Sequence, residues 1–396
     1  MERSKFTDFV RGNIAEGQHF FADIIKTLLY KSDPDLFKLL DFYDDEPFLE
    51  PLLFAYFNSK ESPIKPKQIL FGYLEDELRP EIVNVFADES GIVYLPNIGY
   101  FVTNLANKEL ALIWDRSSKS YSLTYNDQPV NYSYDPIIRV EGTRIELCRY
   151  NHPLLAGLYT DTKGNVVDVE IQDSTRRHIP HLNTAFRILK TQYPHYYEDI
   201  LAVTKKIVVF EGKNVNSFAT LSAHGIAFLS SNRTDDEVFF IEDLAHQCGH
   251  VIFSALTSEK KAYFRADPDT PLKFLSKNPR ETRTVYVTFH GLFTEAAMSE
   301  ALDICYENDM FSGKQKHELA GRIAFILTRF SHDLANLAHS ELFSEKGILL
   351  FNDFRQVFLE LSQKRQDLLR KCDTSNQPYN FSYEKFVELN PLNGVV

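Results

Sequence analysis

The residues with the clearest chemical potential are His246 and His250, which lie four positions apart in the segment His-Gln-Cys-Gly-His. On an α-helix this spacing puts both side chains on one face, with Cβ atoms about 5–6 Å apart. Two imidazoles placed in this way can bind one divalent metal ion. The spacing alone is weak support, because 12 histidines among 396 residues give about 0.4 such pairs by chance.

The sequence around this pair favours a metal site. Acidic residues precede the histidines, where they suit the first turn of a helix, and two short β-prone runs lie just upstream. Strands followed by an HxxxH helix are the order found in zincin-like metal sites. Gln247, however, occupies the position where metalloproteases carry the glutamate general base. A neutral amide cannot take up that proton, so Gln247 is expected to act only through hydrogen bonds.

A metal site of this kind needs a third ligand, and the sequence offers two types downstream. One is His290, within a run that is rich in aromatic and β-branched residues. The other is a carboxylate, either Glu295 or Glu300, on the helix that follows. The simpler interpretations are a core histidine and a solvated helix face, respectively.

Four elements between residues 217 and 351 resemble the family of HEXXH-motif peptide modification proteins. These are the Ser217-Phe218-Ala219 segment with the strand near Ile226, the His246–His250 segment, Arg283 with His290-Gly291, and Leu342 to Gly347. The sequence departs from the family at Gln247 and at Thr284, where the family has proline. Characterised members are 2-oxoglutarate-dependent peptide β-hydroxylases of ribosomal peptide natural-product pathways.

The resemblance implies a ligand set and a cosubstrate. His246, His250 and His290 would hold Fe(II), a three-histidine variation on the two-His-one-carboxylate site, and zinc is the alternative metal. Arg283, with Arg280 in reserve, would bind the distal carboxylate of 2-oxoglutarate. Such an oxygenase needs no general base beside the metal, because its oxidant comes from O2 and the keto acid. A glutamine at position 247 would therefore harm the activity of such an oxygenase less than that of a metalloprotease.

Composition restricts the partners. The formal net charge is −12 and the pI is about 5.5, and there is no basic block, which argues against binding to nucleic acid. No apolar run reaches the roughly 18–20 residues that span a bilayer, and the charged N-terminal segment is unlike a leader peptide. Four scattered cysteines favour a reducing, cytoplasmic location. The oligomeric state is left open.

Hydrophobic periodicity predicts an α+β protein in three parts. Residues 1–65 form a helical N-terminal segment, and residues 66–165 form a β-rich, mostly antiparallel region. Residues 166–396 form a zincin-like, mainly helical metal domain. In the last part we predict strands at 206–210 and 226–230, a helix near 180–193, and helices over 284–369 with one break near 344–347.

Three functions are consistent with these observations. The preferred one is hydroxylation of a side chain, at a β-carbon, in a ribosomally made precursor peptide that the β-rich region binds as an added strand. The second is a zinc peptidase, which Gln247 weakens. The third is a catalytically inactive relative that retains the fold in order to bind a peptide.

Overall fold

The computed structural model describes residues 3–276 and 281–392. The chain mixes helix and sheet, with 51% of residues helical and 16% in strands, and both the N-terminus and the C-terminal region are helical. The α+β class is therefore confirmed at this level. The described residues form two compact units. The helical unit comprises residues 1–17, 180–202 and 234–396, and the sheet unit comprises residues 18–179 and 203–233.

The helices are α1 Arg3–Ser32, α2 Pro51–Asn58, α3 Pro66–Leu70, α4 Pro153–Ala156, α5 Gln172–Gln192, α6 Pro194–Val203, α7 Glu237–Leu256, α8 Lys273–Ser276, α9 Val285–Glu307, α10 Gly313–Asn336, α11 Glu345–Lys364, α12 Gln366–Lys371 and α13 Tyr383–Leu389. The strands are β1 Ile82–Ala87, β2 Ile92–Leu95, β3 Gly99–Val102, β4 Lys108–Asp115, β5 Ser120–Tyr125, β6 Gln128–Val130, β7 Ser133–Pro136, β8 Ile138–Arg139, β9 Glu146–Cys148, β10 Lys206–Phe210 and β11 Ile226–Ser230.

The sheet unit contains three small sheets. Two are antiparallel, with strand orders β1-β4-β5-β6 and β2-β3-β7. In the first of these, β1 and β4 alternate between buried and more exposed residues, as is typical of a sheet with one face on the core. The third has the order β11-β10-β9-β8, and β9, β10 and β11 run parallel. The predicted strands at 206–210 and 226–230 coincide with β10 and β11. Every residue of β10 is buried, which explains the apolar run from Ile207 to Phe210 that follows Lys206.

The helical unit is built around α7, α9, α10 and α11. Each of the first two begins at a side-chain cap: Asp236 accepts from the Val238 amide, and Thr284 accepts from the Val287 amide. Thr284 is thus able to start the helix α9. The predicted single break after residue 284 is wrong, because the chain leaves the helical conformation at 308–312 and again at 337–344.

The three-part division of the sequence remains a prediction, while contacts group the residues into two units of non-contiguous segments. Both α1 and α5 contribute residues to each unit. None of the helices in the described ranges has the length and apolar character of a membrane span. All four cysteines are unpaired thiols.

Candidate metal centre

Helix α7 carries the first two candidate ligands. The imidazole centroids of His246 and His250 are 4.8 Å apart and the ring planes are tilted by 41°. Both side chains are partly buried, while most of their neighbours along α7 are buried. The four-residue spacing therefore places the two rings side by side, as predicted from the sequence.

Helix α9 brings His290 against the same pair. Nδ1 of His250 and Nε2 of His290 are 2.9 Å apart, so one ring donates its N–H to the lone pair of the other. Phe253, one turn after His250, stacks on the His290 ring with centroids 4.7 Å apart. The three histidines thus form a continuous row, although His290 is forty residues away from His250 in sequence.

Gly249 allows α7 and α9 to approach closely. A Cβ at this position would lie 2.8 Å from the Tyr196 hydroxyl and 3.1 Å from the Thr294 methyl carbon. The Tyr196 hydroxyl is itself fixed, since it donates to the Ala245 carbonyl at 2.6 Å. Any side chain at 249 would therefore push apart the helices that carry the histidines.

The environment keeps the three rings neutral at physiological pH. Burial lowers the pKa of His250 to about 4. Burial, together with the neighbouring His250, lowers the pKa of His246 and His290 well below 6.5. Neutral imidazole is the form that offers a lone pair to a metal ion.

Gln247 cannot act as a general base, and its side chain is hydrogen-bonded within α7. It is buried, and its Nε2 donates to the Asp243 carboxylate at 3.1 Å, one turn earlier on α7. Its Oε1 is buried and accepts no hydrogen bond within the described ranges. The side chain is therefore engaged along its own helix.

A small cleft of about 20 Å³, partly open to solvent, lies beside His246 and is also lined by Glu295 of α9 and Arg329 of α10. Glu295 is 2% exposed. Burial and the nearby Asp333 raise the pKa of Glu295 well above its usual range. Glu300, the other candidate carboxylate, instead accepts a hydrogen bond of 2.5 Å from the Tyr193 hydroxyl.

Two arginines near the cleft are held by carboxylates. Arg283 makes a bidentate pair with Asp333, at 2.6 and 2.7 Å, and also bonds Glu281. Arg322 lies between Glu242 and Glu318, each at 2.7 Å. The predicted binding of a keto-acid carboxylate by Arg283 would thus compete with two resident carboxylates. Arg280, the reserve candidate, lies outside the described residues.

Arg329 is held less tightly than the other two arginines. Its Nη1 donates to the Tyr379 carbonyl at 2.9 Å, and its Nε lies 3.9 Å from Glu295. The sequence offered no signal for Arg329, because its place in the cleft depends on how α10 packs.

One group of three side chains in the described ranges has its ligand atoms all within 4.8 Å of one another, namely His19, Asp23 and Asp45 in the sheet unit. Lys26, which is buried, already pairs with Asp45 at 2.6 Å and so supplies a cation there. His246, His250 and His290 do not meet the same distance criterion, although His250 and His290 are in direct contact.

Neither a family model nor a curated protein matches this chain.

Proposed function

We propose that this chain is a metal-dependent oxygenase that hydroxylates a peptide side chain with Fe(II), 2-oxoglutarate and O2. The observation that supports it best is the row of three neutral imidazoles on α7 and α9 beside a cleft. His246 and His250 would hold the metal from α7, and His290 of α9 would supply the third ligand.

The donor set fits a divalent ion of intermediate hardness. Imidazole nitrogens suit both Fe(II) and Zn(II). Bound iron would supply the oxidation of a C–H bond, in which one oxygen atom of O2 enters the peptide and the other enters succinate as CO2 leaves. The residues of this chain bind the ion, keep the imidazoles unprotonated and limit the entry of water.

The position of Gln247 favours the oxygenase over a peptidase. Hydrolysis through a metal-bound water needs a base beside the first ligand, and here the amide of Gln247 bonds Asp243 instead. The peptide substrate would be an extended segment that adds to an edge strand of the sheet unit, where the sheet edges are β1, β2, β6, β7, β8 and β11.

The test is anaerobic purification, metal analysis and a succinate assay with 2-oxoglutarate. We expect one equivalent of iron and turnover of the keto acid. His246→Ala and His250→Ala should lose the metal, while His332→Ala, at an exposed histidine of α10, should retain it. If the two α7 variants bind metal as well as the wild type, no metal centre exists there. If iron binds but no 2-oxoglutarate is consumed, the metal centre remains and the oxygenase is excluded.

A further inference from the structure

The sheet unit has a cleft of its own, which is partly open to solvent. Its volume is about 320 Å³, and it is lined by the turn between β1 and β2, at Asp88 to Ser90, and by Pro153 and Ala156, the first and last residues of α4. This volume falls in the range of small-ligand sites, roughly 300–1,000 Å³. The cleft is therefore large enough for a side chain or a small molecule.

Asp88 is a buried carboxylate of this cleft with one oxygen left open. It is 7% exposed, and its Oδ1 accepts from the backbone amides of Ser90 and Ile92 at 2.8 and 2.9 Å. Its Oδ2 accepts no hydrogen bond within the described ranges, and protein atoms do not fully enclose this oxygen. Buried carboxylate oxygens are normally paired, so Oδ2 has the capacity to accept from a ligand in the cleft.

The charged residues that line the cleft are both acidic. They are Asp88 and Glu89, and neither forms an ion pair with another described residue. Burial, together with the neighbouring Glu89, raises the pKa of Asp88. The ammonium group of Lys206, in a small adjoining cavity, is instead held by two other carboxylates. The charges of the cleft therefore favour a cationic ligand.

The hydrogen bonds of Oδ1 determine which kind of cation fits. Two backbone donors use both lone pairs of Oδ1, so one oxygen of Asp88 remains for a ligand. A guanidinium group binds a carboxylate best through two parallel bonds, one to each oxygen, whereas an ammonium group needs a single oxygen. Phe86, Ile92 and Pro153 also line the cleft and provide apolar surface on which a methylene stem can lie.

We infer that this cleft binds a primary ammonium group on an alkyl stem, with Asp88 as the counter-ion and the exposed Glu89 as a second negative charge. A lysine side chain of a peptide and a free alkylamine both carry this group. The inference does not depend on the metal centre, because every residue that lines the cleft belongs to the sheet unit.

Calorimetric titration with Nα-acetyl-lysine methylamide tests the site. The comparison is Nα-acetyl-norleucine methylamide, which has the same stem without the charge. We expect the lysine probe to bind about 10-fold more tightly, because a hydrogen bond to a buried carboxylate is charge-assisted. Butylamine separates the two sources: equal affinity for it shows that the ammonium group and its stem suffice, and weaker binding shows that the peptide groups of the lysine probe add contacts.

Asp88→Asn removes the charge and keeps an oxygen that can accept from the amides of Ser90 and Ile92. We expect the affinity for the lysine probe to fall about 10-fold, to that of the norleucine probe. Asp115→Asn is the matched control, because Asp115 also accepts from backbone amides, in the turn after β4, and lies outside the cleft. It should bind the lysine probe as the wild type does.

A second variant fills the cleft without touching the β1–β2 turn. Ala156→Leu adds a larger side chain from α4 and should weaken the binding of both probes, so the test stays decisive if Asp88→Asn does not fold. The inference is overturned if the wild type binds the two probes equally or binds neither. Unchanged affinity in Asp88→Asn or Ala156→Leu also contradicts it, and tighter binding of Nα-acetyl-arginine methylamide than of the lysine probe overturns the choice of an ammonium group.

Discussion

Two clusters of buried polar side chains differ in how completely their members are paired. In the sheet unit, Lys206 is 1% exposed and contacts Glu146 at 2.7 Å, Tyr94 at 2.9 Å and Glu50 at 3.1 Å. The three donors of its ammonium group are thereby used. Tyr73 and two backbone amides donate to the carboxylates, so each of the four carboxylate oxygens has a donor.

The cluster on α7 and α9 of the helical unit is incomplete by comparison. Oε1 of Gln247 is buried without a hydrogen-bond partner among the described residues, and the buried carboxyl of Glu295 faces the Asp333 carboxyl, which raises the pKa of Glu295. A fully paired cluster stabilises a fold and has no capacity left for a ligand, whereas unpaired buried groups retain it. This difference, more than residue type, is why we place function at the histidines and structure at Lys206.

The largest effect should come from breaking the complete cluster. Lys206→Met leaves the carboxylates of Glu146 and Glu50 buried without their cation, and we expect a loss of about 3–5 kcal/mol in the free energy of unfolding. Urea denaturation measures it. Lys205→Met, which removes only a pair at 3.9 Å, should change the stability by less than about 1 kcal/mol. Equal losses in both variants would contradict a specific role for Lys206.

A charge added to the incomplete cluster should also destabilise the protein. Gln247→Glu replaces an amide that donates to Asp243 with a second buried carboxylate beside it, at an expected cost of about 2–4 kcal/mol. No amide hydrolysis should appear, because the side chain is directed along α7. A stable variant that cleaves peptides would show instead that only the base was missing. Gln247→Met, a neutral control of similar length, should cost less.

Acid should weaken the sheet unit through its buried neutral histidines. Burial lowers the pKa of His224 to about 3, and its Nε2 contacts Gln18 at 2.7 Å. The unfolded state binds the proton at a pKa near 6.5, so this stabilisation is complete above pH 6.5 and is lost as the pH falls toward 3. Between pH 7 and 5 the loss is about 2 kcal/mol for this histidine.

His224→Phe should reduce that pH dependence, because the titrating ring is gone. The measurement is urea denaturation of the wild type and the variant at pH 7 and pH 5. The same slope in both proteins would show that His224 is not neutral in the fold. His152, whose pKa burial also lowers to about 3, should contribute a similar loss in both proteins and so cancel in the comparison.

The smallest expected effect comes from the close packing of α7 and α9 at Gly249, which brings the residues of the incomplete cluster together. Gly249→Ala puts a methyl group against Tyr196 and Thr294, and we expect a loss of about 1–2 kcal/mol together with weaker metal binding. Gly12→Ala on α1, where a Cβ meets nothing within 4 Å, should stabilise the helix by about 0.5–1 kcal/mol. Thermal melts of both variants check the opposite signs. Equal shifts would mean that Gly249 is not a close-approach site.

Local sequence patterns predicted several helices and strands correctly and failed for other parts of the chain. The strands β10 and β11 follow from short apolar runs, and α7 follows from its acidic start and apolar continuation. The breaks on either side of α10 were not predicted correctly, because residues 308–312 and 337–344 carry no proline to end a helix. The helical spacing of apolar residues over 284–369 therefore did not reveal either turn.

Local sequence patterns also could not decide which of the two candidate carboxylates lies near the histidines. Glu295 and Glu300 lie on one helix, five residues apart, and the sequence left both open as ligands. Packing places Glu300 against the Tyr193 hydroxyl, and it buries Glu295 in the cleft beside His246, where it faces Asp333. No local sequence pattern marks Lys206, since its carboxylates at 50 and 146 are far away along the chain.

The amino-acid sequence by itself determined that two imidazoles share a helix face, because that depends only on a four-residue spacing and the helical repeat. It also determined that the amide of Gln247 stands where a base would be. The tertiary structure decided that His290 bonds to His250, that Glu295 is buried beside His246, and that Arg283 is held by two carboxylates. Those outcomes depend on burial and pairing between distant segments, which no local spacing encodes.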